Sequence, residues 1–150
     1  MEIYIGSDYR GFERKKQLID YLTSRGDDVN DMGAYEYHEG GDDYNDPAIA
    51  VAKNVRENRG SFGILICGSA HGVTIQANRF KGIRAAHCDN EESAIMAREH
   101  DDANVLCLSA EYADEALAKS IVDVFLKTNF TNLERRVRRI NRLDERVDYD

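Results

Sequence analysis

The run Gly63-Ile64-Leu65-Ile66-Cys67 followed by Gly68-Ser69-Ala70-His71-Gly72 constrains this chain more than any other segment. A short apolar stretch bounded by turn residues reads as a strand buried on both faces, the kind found in parallel sheets. Here the stretch closes on a thiol, and a glycine-punctuated turn then opens a helical pattern. Parallel α/β sheets hold ligands at the carboxyl ends of their strands, which places Cys67 where chemistry is expected. The amides after it point into the same crevice, ready to hold an anion. Cysteine is also a common buried hydrophobe, so an isolated strand-end Cys would carry little meaning. The turn makes the difference, because a thiol facing a helix N-terminus is favoured as thiolate.

Strand and helix patterns alternate along the rest of the chain. Strands are expected at 2–6, 28–32, 62–67, 83–88 and 104–108. Helices are expected at 11–25, 47–58, 72–80, 90–99 and 113–128, with Gly26 stopping the first and Pro47 starting the second. The alternation predicts an α/β fold, a three-layer α/β/α sandwich around a Rossmann-like parallel sheet of about five strands. The loop 33–46 is too long for a mere connector and is a candidate binding loop. A further Arg-rich helix is expected at 131–147, extending to a partner subunit, with 1–150 forming one domain.

Charge and cysteine usage exclude several classes. Twenty-eight acidic residues against 20 basic ones give a net charge of −8, which argues against general nucleic-acid or membrane binding. Six arginines in 135–146 are interrupted by Asp144 and Glu145 and lack aromatic neighbours, so they read as a subunit contact and not as a nucleic-acid surface. No apolar stretch approaches the roughly 20 residues of a membrane span. Cys67, Cys88 and Cys107 show no metal-ligand spacing and read as reduced thiols of a cytoplasmic protein, so no metal is expected.

Polar residues gather near the other strand ends: Ser7, Asp8 and Tyr9 after the first strand, His87 after the fourth, and His100 and Asp101 before the fifth. Asp8 suits a helix cap and His100 a helix C-terminus. With Cys67 and Ser69 they would form a nucleophile, hydroxyl, carboxylate and imidazole set if the fold brought them together. His38 reads as a solvated loop residue and His87 as packing at a strand end.

These residues carry a family resemblance. Gly6-Ser7-Asp8-Tyr9-Arg10-Gly11-Phe12, Asp42-Asp43-Tyr44, the segment 63–80 with Gln76-Ala77-Asn78-Arg79, Gly82-Ile83-Arg84-Ala85, and Arg98 to Leu106 follow one another in the order of motifs found in the ribose-5-phosphate isomerase B family. That family also includes galactose- and allose-6-phosphate isomerases. The resemblance implies a cofactor-free aldose–ketose isomerase working through a cis-enediolate, with ribose 5-phosphate and ribulose 5-phosphate as the first expectation. It implies Cys67 as the base, since Val73 stands where another branch has Glu. Ser69 would move a proton between substrate oxygens, and His100 with Asp8 would open the sugar ring. Tyr9, Tyr44, Gly68, Ala70, His71, Gly72, Asp101, Arg136 and Arg139 would contact substrate. It also implies a homodimer, or a dimer of dimers, with shared active sites.

Four positions depart from the family pattern: Tyr9 for His, Glu111 for Arg, Asn132 for Arg, and Asp101 for Asn. They fall on substrate binding, where arginine's planar fork suits phosphate. Two further readings therefore stand beside the first: an isomerase of another sugar, unphosphorylated or a tetrose or hexose phosphate, and a non-catalytic partner subunit or sugar-binding protein.

Overall fold

The computed structural model describes residues 1–145. Five strands, β1 (Glu2–Ser7), β2 (Asp28–Asp31), β3 (Phe62–Cys67), β4 (Ala85–His87) and β5 (Val105–Ser109), pair in parallel in the order β2-β1-β3-β5-β4. Six helices connect and follow them: α1 (Phe12–Ser24), α2 (Asn45–Glu57), α3 (His71–Ala77), α4 (Glu91–Asp101), α5 (Glu115–Lys127) and α6 (Glu134–Arg142). The three-layer parallel α/β architecture expected from the alternation is the one observed.

Side chains alternate across each strand and so feed two cores. Ile3, Ile5, Ile64, Ile66, Leu106 and Leu108 pack with Leu18, Leu22, Ile121 and Phe125 on the α1, α4 and α5 side. Tyr4, Leu65, Cys67, Val105 and Cys107 face Val51, Ala52, Val55, Val73 and Ala77 on the α2 and α3 side. Each aliphatic side chain fully buried in this way contributes about 1.5–3 kcal/mol. β3 carries such residues on both faces because it lies between β1 and β5, which explains its unbroken apolar run.

Helix ends follow side-chain chemistry. Asn90 caps α4 by accepting from Ser93 N–H, and Asp114 caps α5 by accepting from Leu117 N–H, both at 2.8 Å. Pro47 does not start α2; the helix begins at Asn45 and Pro47 sits in its first turn, where no backbone donor is needed. The helix expected at 131–147 is reduced to Glu134–Arg142, an arginine-rich segment with no buried residue. Its expected end at 146–147 lies outside the described residues. The expected strand 83–88 keeps only its centre, because Arg84 N–H turns to the Asn104 side chain at 2.8 Å.

The strand order reverses direction between β1 and β3. Outside the carboxyl ends of strands at such a switch point lies the customary ligand crevice of open α/β sheets. Asp8 and Cys67 flank it.

Candidate active site

β1 ends in Ser7 and the chain turns at once into a short 3-10 turn, Tyr9–Gly11. One Asp8 carboxylate oxygen holds that turn, accepting from Arg10 N–H at 3.0 Å and Gly11 N–H at 3.1 Å. Burial raises the Asp8 carboxyl above its ordinary value; the two amide bonds and the nearby Arg10 charge pull the other way, while Asp42 adds to the rise. Gly11 is required here by contact. A Cβ on it would stand 2.7 Å from the Ile66 carbonyl oxygen, so the β1 turn can lie directly against β3 only without a side chain.

Cys67 is buried, 4% exposed, and faces the α2–α3 layer. Its carbonyl accepts from Ala110 N–H at 2.9 Å and the Gly68 carbonyl accepts from Glu111 N–H at 3.3 Å, which ties the β3 and β5 ends together. Ser109 Oγ donates to the Gly68 carbonyl at 2.6 Å, fixing the turn from below. Ser69 Oγ accepts from His71 N–H at 3.3 Å. Ala70 enters α3 with φ +70°, the left-handed region that an L side chain adopts only at a cost. Among the described residues no protein acceptor is paired with the amides of Ser69 and Ala70.

Two side chains from elsewhere cover this turn. The Tyr44 ring lies against Gly72, where a Cβ would stand 2.7 Å from two ring carbons. Asn45, next to it, donates to Gln76 at 2.8 Å and pins the end of the long loop to α3. The Arg10 guanidinium lies over Gly68 on the other side. His71 meets His87 edge-on at 5.8 Å, and His87 Nε2 stands 2.7 Å from Asp89.

The structure therefore brings together Asp8, Tyr9, Tyr44, Cys67, Gly68, Ser69, Ala70, His71 and Gly72 at the carboxyl end of the sheet. It does not bring His100, Asp101 and Arg136 to them within one chain. α4 leaves the carboxyl end of β4 and runs back, so its last residues lie at the amino ends of the strands, where Asn104 N–H reaches the Arg84 carbonyl at 3.0 Å. Asp101 lines a cleft there with Asn78, Arg84 and Ala85. Arg136 donates to the Glu99 carbonyl at 3.2 Å and to Thr131 Oγ1 at 2.6 Å, beside the end of α4, and Arg139 lies one turn further along exposed α6. The convergence considered from strand ends alone is thus absent inside a single chain: a crossover helix returns its last turn to the far end of the sheet.

Two features were not foreseen. Asp42, from the long loop, has a buried Oδ2 with no protein partner. Its signal in the sequence is its place in Asp42-Asp43-Tyr44, one of the segments that carry the family resemblance. Glu111, 2.7 Å from Arg10, pairs across a separation of about a hundred residues. Among the described residues no three His, Cys, Asp or Glu side chains group as metal donors would.

A parallel α/β sheet with a thiol, a buried carboxylate and a hydroxyl at its switch point defines a small-molecule enzyme of the doubly wound class. Residues 3–143 match the model of the ribose/galactose isomerase family, and the chain belongs to that family. It is 40% identical over 149 residues to the probable ribose-5-phosphate isomerase B of Mycoplasma genitalium, covering 97% of each chain. A ribose 5-phosphate isomerase of Thermotoga maritima superposes with TM-score 0.91 at 41% identity, covering 95% of this chain and 97% of that one. The Mycoplasma genitalium ribose-5-phosphate isomerase B, solved with bound ribulose 5-phosphate, superposes with TM-score 0.90 at 41% identity over 95% and 93% of the two chains.

Proposed function

We propose that this chain is a cofactor-free aldose–ketose isomerase that interconverts ribose 5-phosphate and ribulose 5-phosphate. The observation that carries the reading is Cys67 at the carboxyl end of β3, at the switch point, beside an amide-lined turn and Asp8. In the open-chain sugar, the Cys67 thiolate takes the proton from C2 and returns it to C1 through a cis-enediolate. The free amides after Cys67 hold the developing oxyanion, and preorganised donors of this kind supply much of the acceleration in such sites. Ser69 passes the second proton between O1 and O2. Asp8 and His100 open the sugar ring. Burial of Asp8 suits this role, since a carboxyl raised above its ordinary value retains a proton to higher pH than a surface one.

The same reading needs two copies of the chain. His100, Asp101, Arg136 and Arg139 of one copy would act at the Cys67 site of the other, alongside its own Tyr9, Tyr44, Gly68, Ala70, His71 and Gly72. Two-fold pairing presents the same surface from both partners. Ile75 on α3, 57% exposed, and Met96 on α4, 45% exposed, flank the edge strand β4 and offer an apolar part of such a surface. The chain works as one domain over 1–150, in the cytoplasm, where its three thiols stay reduced.

The test is aldose–ketose interconversion by the pure protein beside Cys67→Ala. The panel holds ribose 5-phosphate, erythrose 4-phosphate, allose and galactose 6-phosphates, and the free sugars. Turnover of ribose 5-phosphate that vanishes in Cys67→Ala is expected. Turnover that survives the substitution removes Cys67 as base, and no turnover of any sugar refutes the isomerase reading.

A further inference from the structure

We infer that Arg10 is the phosphate-recognising residue of the Cys67 site and that Glu111 holds it as a counter-ion the substrate must displace. The inference rests on the isomerase reading and names a specificity determinant within it. Arg10 Nη2 stands 2.7 Å from Glu111 Oε1, both side chains about half exposed. The guanidinium lies on bare backbone: a Cβ at Gly68 would meet Arg10 Nη1 at 2.5 Å, so glycine next to Cys67 is what admits it. Three chain segments fix this arrangement. Asp8 holds the Arg10 amide, Ala110 N–H binds the Cys67 carbonyl, and Glu111 N–H binds the Gly68 carbonyl.

The surrounding charge gives the pair its meaning. The adjoining cleft of about 420 Å³ is lined by Tyr9, Glu13, Tyr37, Glu39 and Glu111, with Arg10 as its one lysine or arginine among the described residues. Three carboxylates repel a phosphate dianion, whereas a guanidinium offers it a planar, bidentate fork. With Glu111 in place the fork is occupied, and a phosphate binds only by exchanging one anion for another. Discrimination then follows from charge: the exchange favours a dianionic ester over a single carboxylate, and a neutral sugar terminus gains nothing from it.

The experiment measures binding of ribose 5-phosphate by calorimetry, and KM and kcat for ribose 5-phosphate and free ribose, in four proteins. These are the unaltered chain, Arg10→Gln, Glu111→Gln and the double variant. Arg10→Gln is expected to weaken binding of ribose 5-phosphate and raise its KM about tenfold, the loss of one charge-assisted hydrogen bond, and to affect free ribose less. Glu111→Gln is expected to lower KM about threefold or more, and the double variant to return to the Arg10→Gln level. Melting temperatures of these exposed variants should match that of the unaltered chain. Unchanged ribose 5-phosphate affinity in Arg10→Gln, or a raised KM in Glu111→Gln, overturns the inference while leaving the isomerase reading intact. Arg10-dependent binding without turnover supports this inference and refutes the isomerase reading; no binding by the unaltered chain refutes both.

Discussion

Gly72→Ala separates the fold of the α3 turn from its use. Gly72 has an ordinary helical backbone, so alanine is permitted there and favours the helix by up to about 1 kcal/mol. In a domain of this size that raises Tm by about 2–4 °C. The new methyl, however, would meet two Tyr44 ring carbons at 2.7 Å and a third at 2.9 Å. Carbon atoms rest at about 3.5–4.0 Å, so the ring must retreat by about 1 Å. Tyr44 is 39% exposed and free to swing outward, which makes the retreat cheap for the fold. It is costly for a wall of the proposed sugar site, where a displacement of that size lowers turnover up to about 100-fold. The expected result is a Tm equal to or above that of the unaltered chain, with kcat/KM for ribose 5-phosphate reduced about 10- to 100-fold. A cycle with Tyr44→Ala completes the assay: once the ring is gone, adding Gly72→Ala should change kcat/KM little. Unaltered kcat/KM in Gly72→Ala, or equal losses with and without the Tyr44 ring, refutes the reasoning.

Three further outcomes are expected. Burial pushes the Cys88 thiol up to about 11 and the Cys107 thiol up to about 12, so both stay protonated at pH 8; a disulfide reagent should therefore react with neither in the native protein and with all three cysteines after unfolding. Arg98, nearly buried, bonds Asp102 at 2.9 Å and the Thr128 carbonyl at 3.1 Å while lying over Phe62 and Phe125. Arg98→Ala should destabilise by about 3 kcal/mol, a Tm loss of about 6–12 °C by thermal unfolding, and Arg98→Lys should not restore it because an ammonium lacks the fork. For Asp8 the folded-state pKa lies above the unfolded one, so its ionised form opposes folding at neutral pH and the penalty fades as pH falls through the folded value. The stability of the unaltered chain relative to Asp8→Asn should therefore improve from pH 7 toward pH 4, and a pH-independent difference would count against burial as the cause.

What could be read from residues alone was the layer order, and the reason is visible in β3. Its expected bounds, 62–67, are the observed ones, because Gly63 to Cys67 carry no polar side chain and the turn beginning at Gly68 ends the run. Helices with a buried stripe, such as α5 with Ile121, Val122 and Phe125, were likewise legible. Where burial is absent the bounds drifted, as in α6, since nothing but exposed arginines marks its ends. The position of His100 was legible in principle: a helix joining parallel strands must return, so its last turn lies at the amino ends. The contacts of Arg10 with Glu111 and of Tyr44 with Gly72 were not legible, because no local pattern links residues so far apart in sequence.

The placement of Cys67 and His100 at opposite ends of one sheet has a genetic consequence. Under the shared-site proposal, a Cys67→Ala chain and a His100→Ala chain are each inactive as pure pairs. A mixed pair, however, holds one site with both defects and one with neither. Random assembly of equal amounts would restore about a quarter of the original activity. Two recessive alleles in the same coding sequence would then complement each other, and a host carrying both would grow where a host carrying either alone would not.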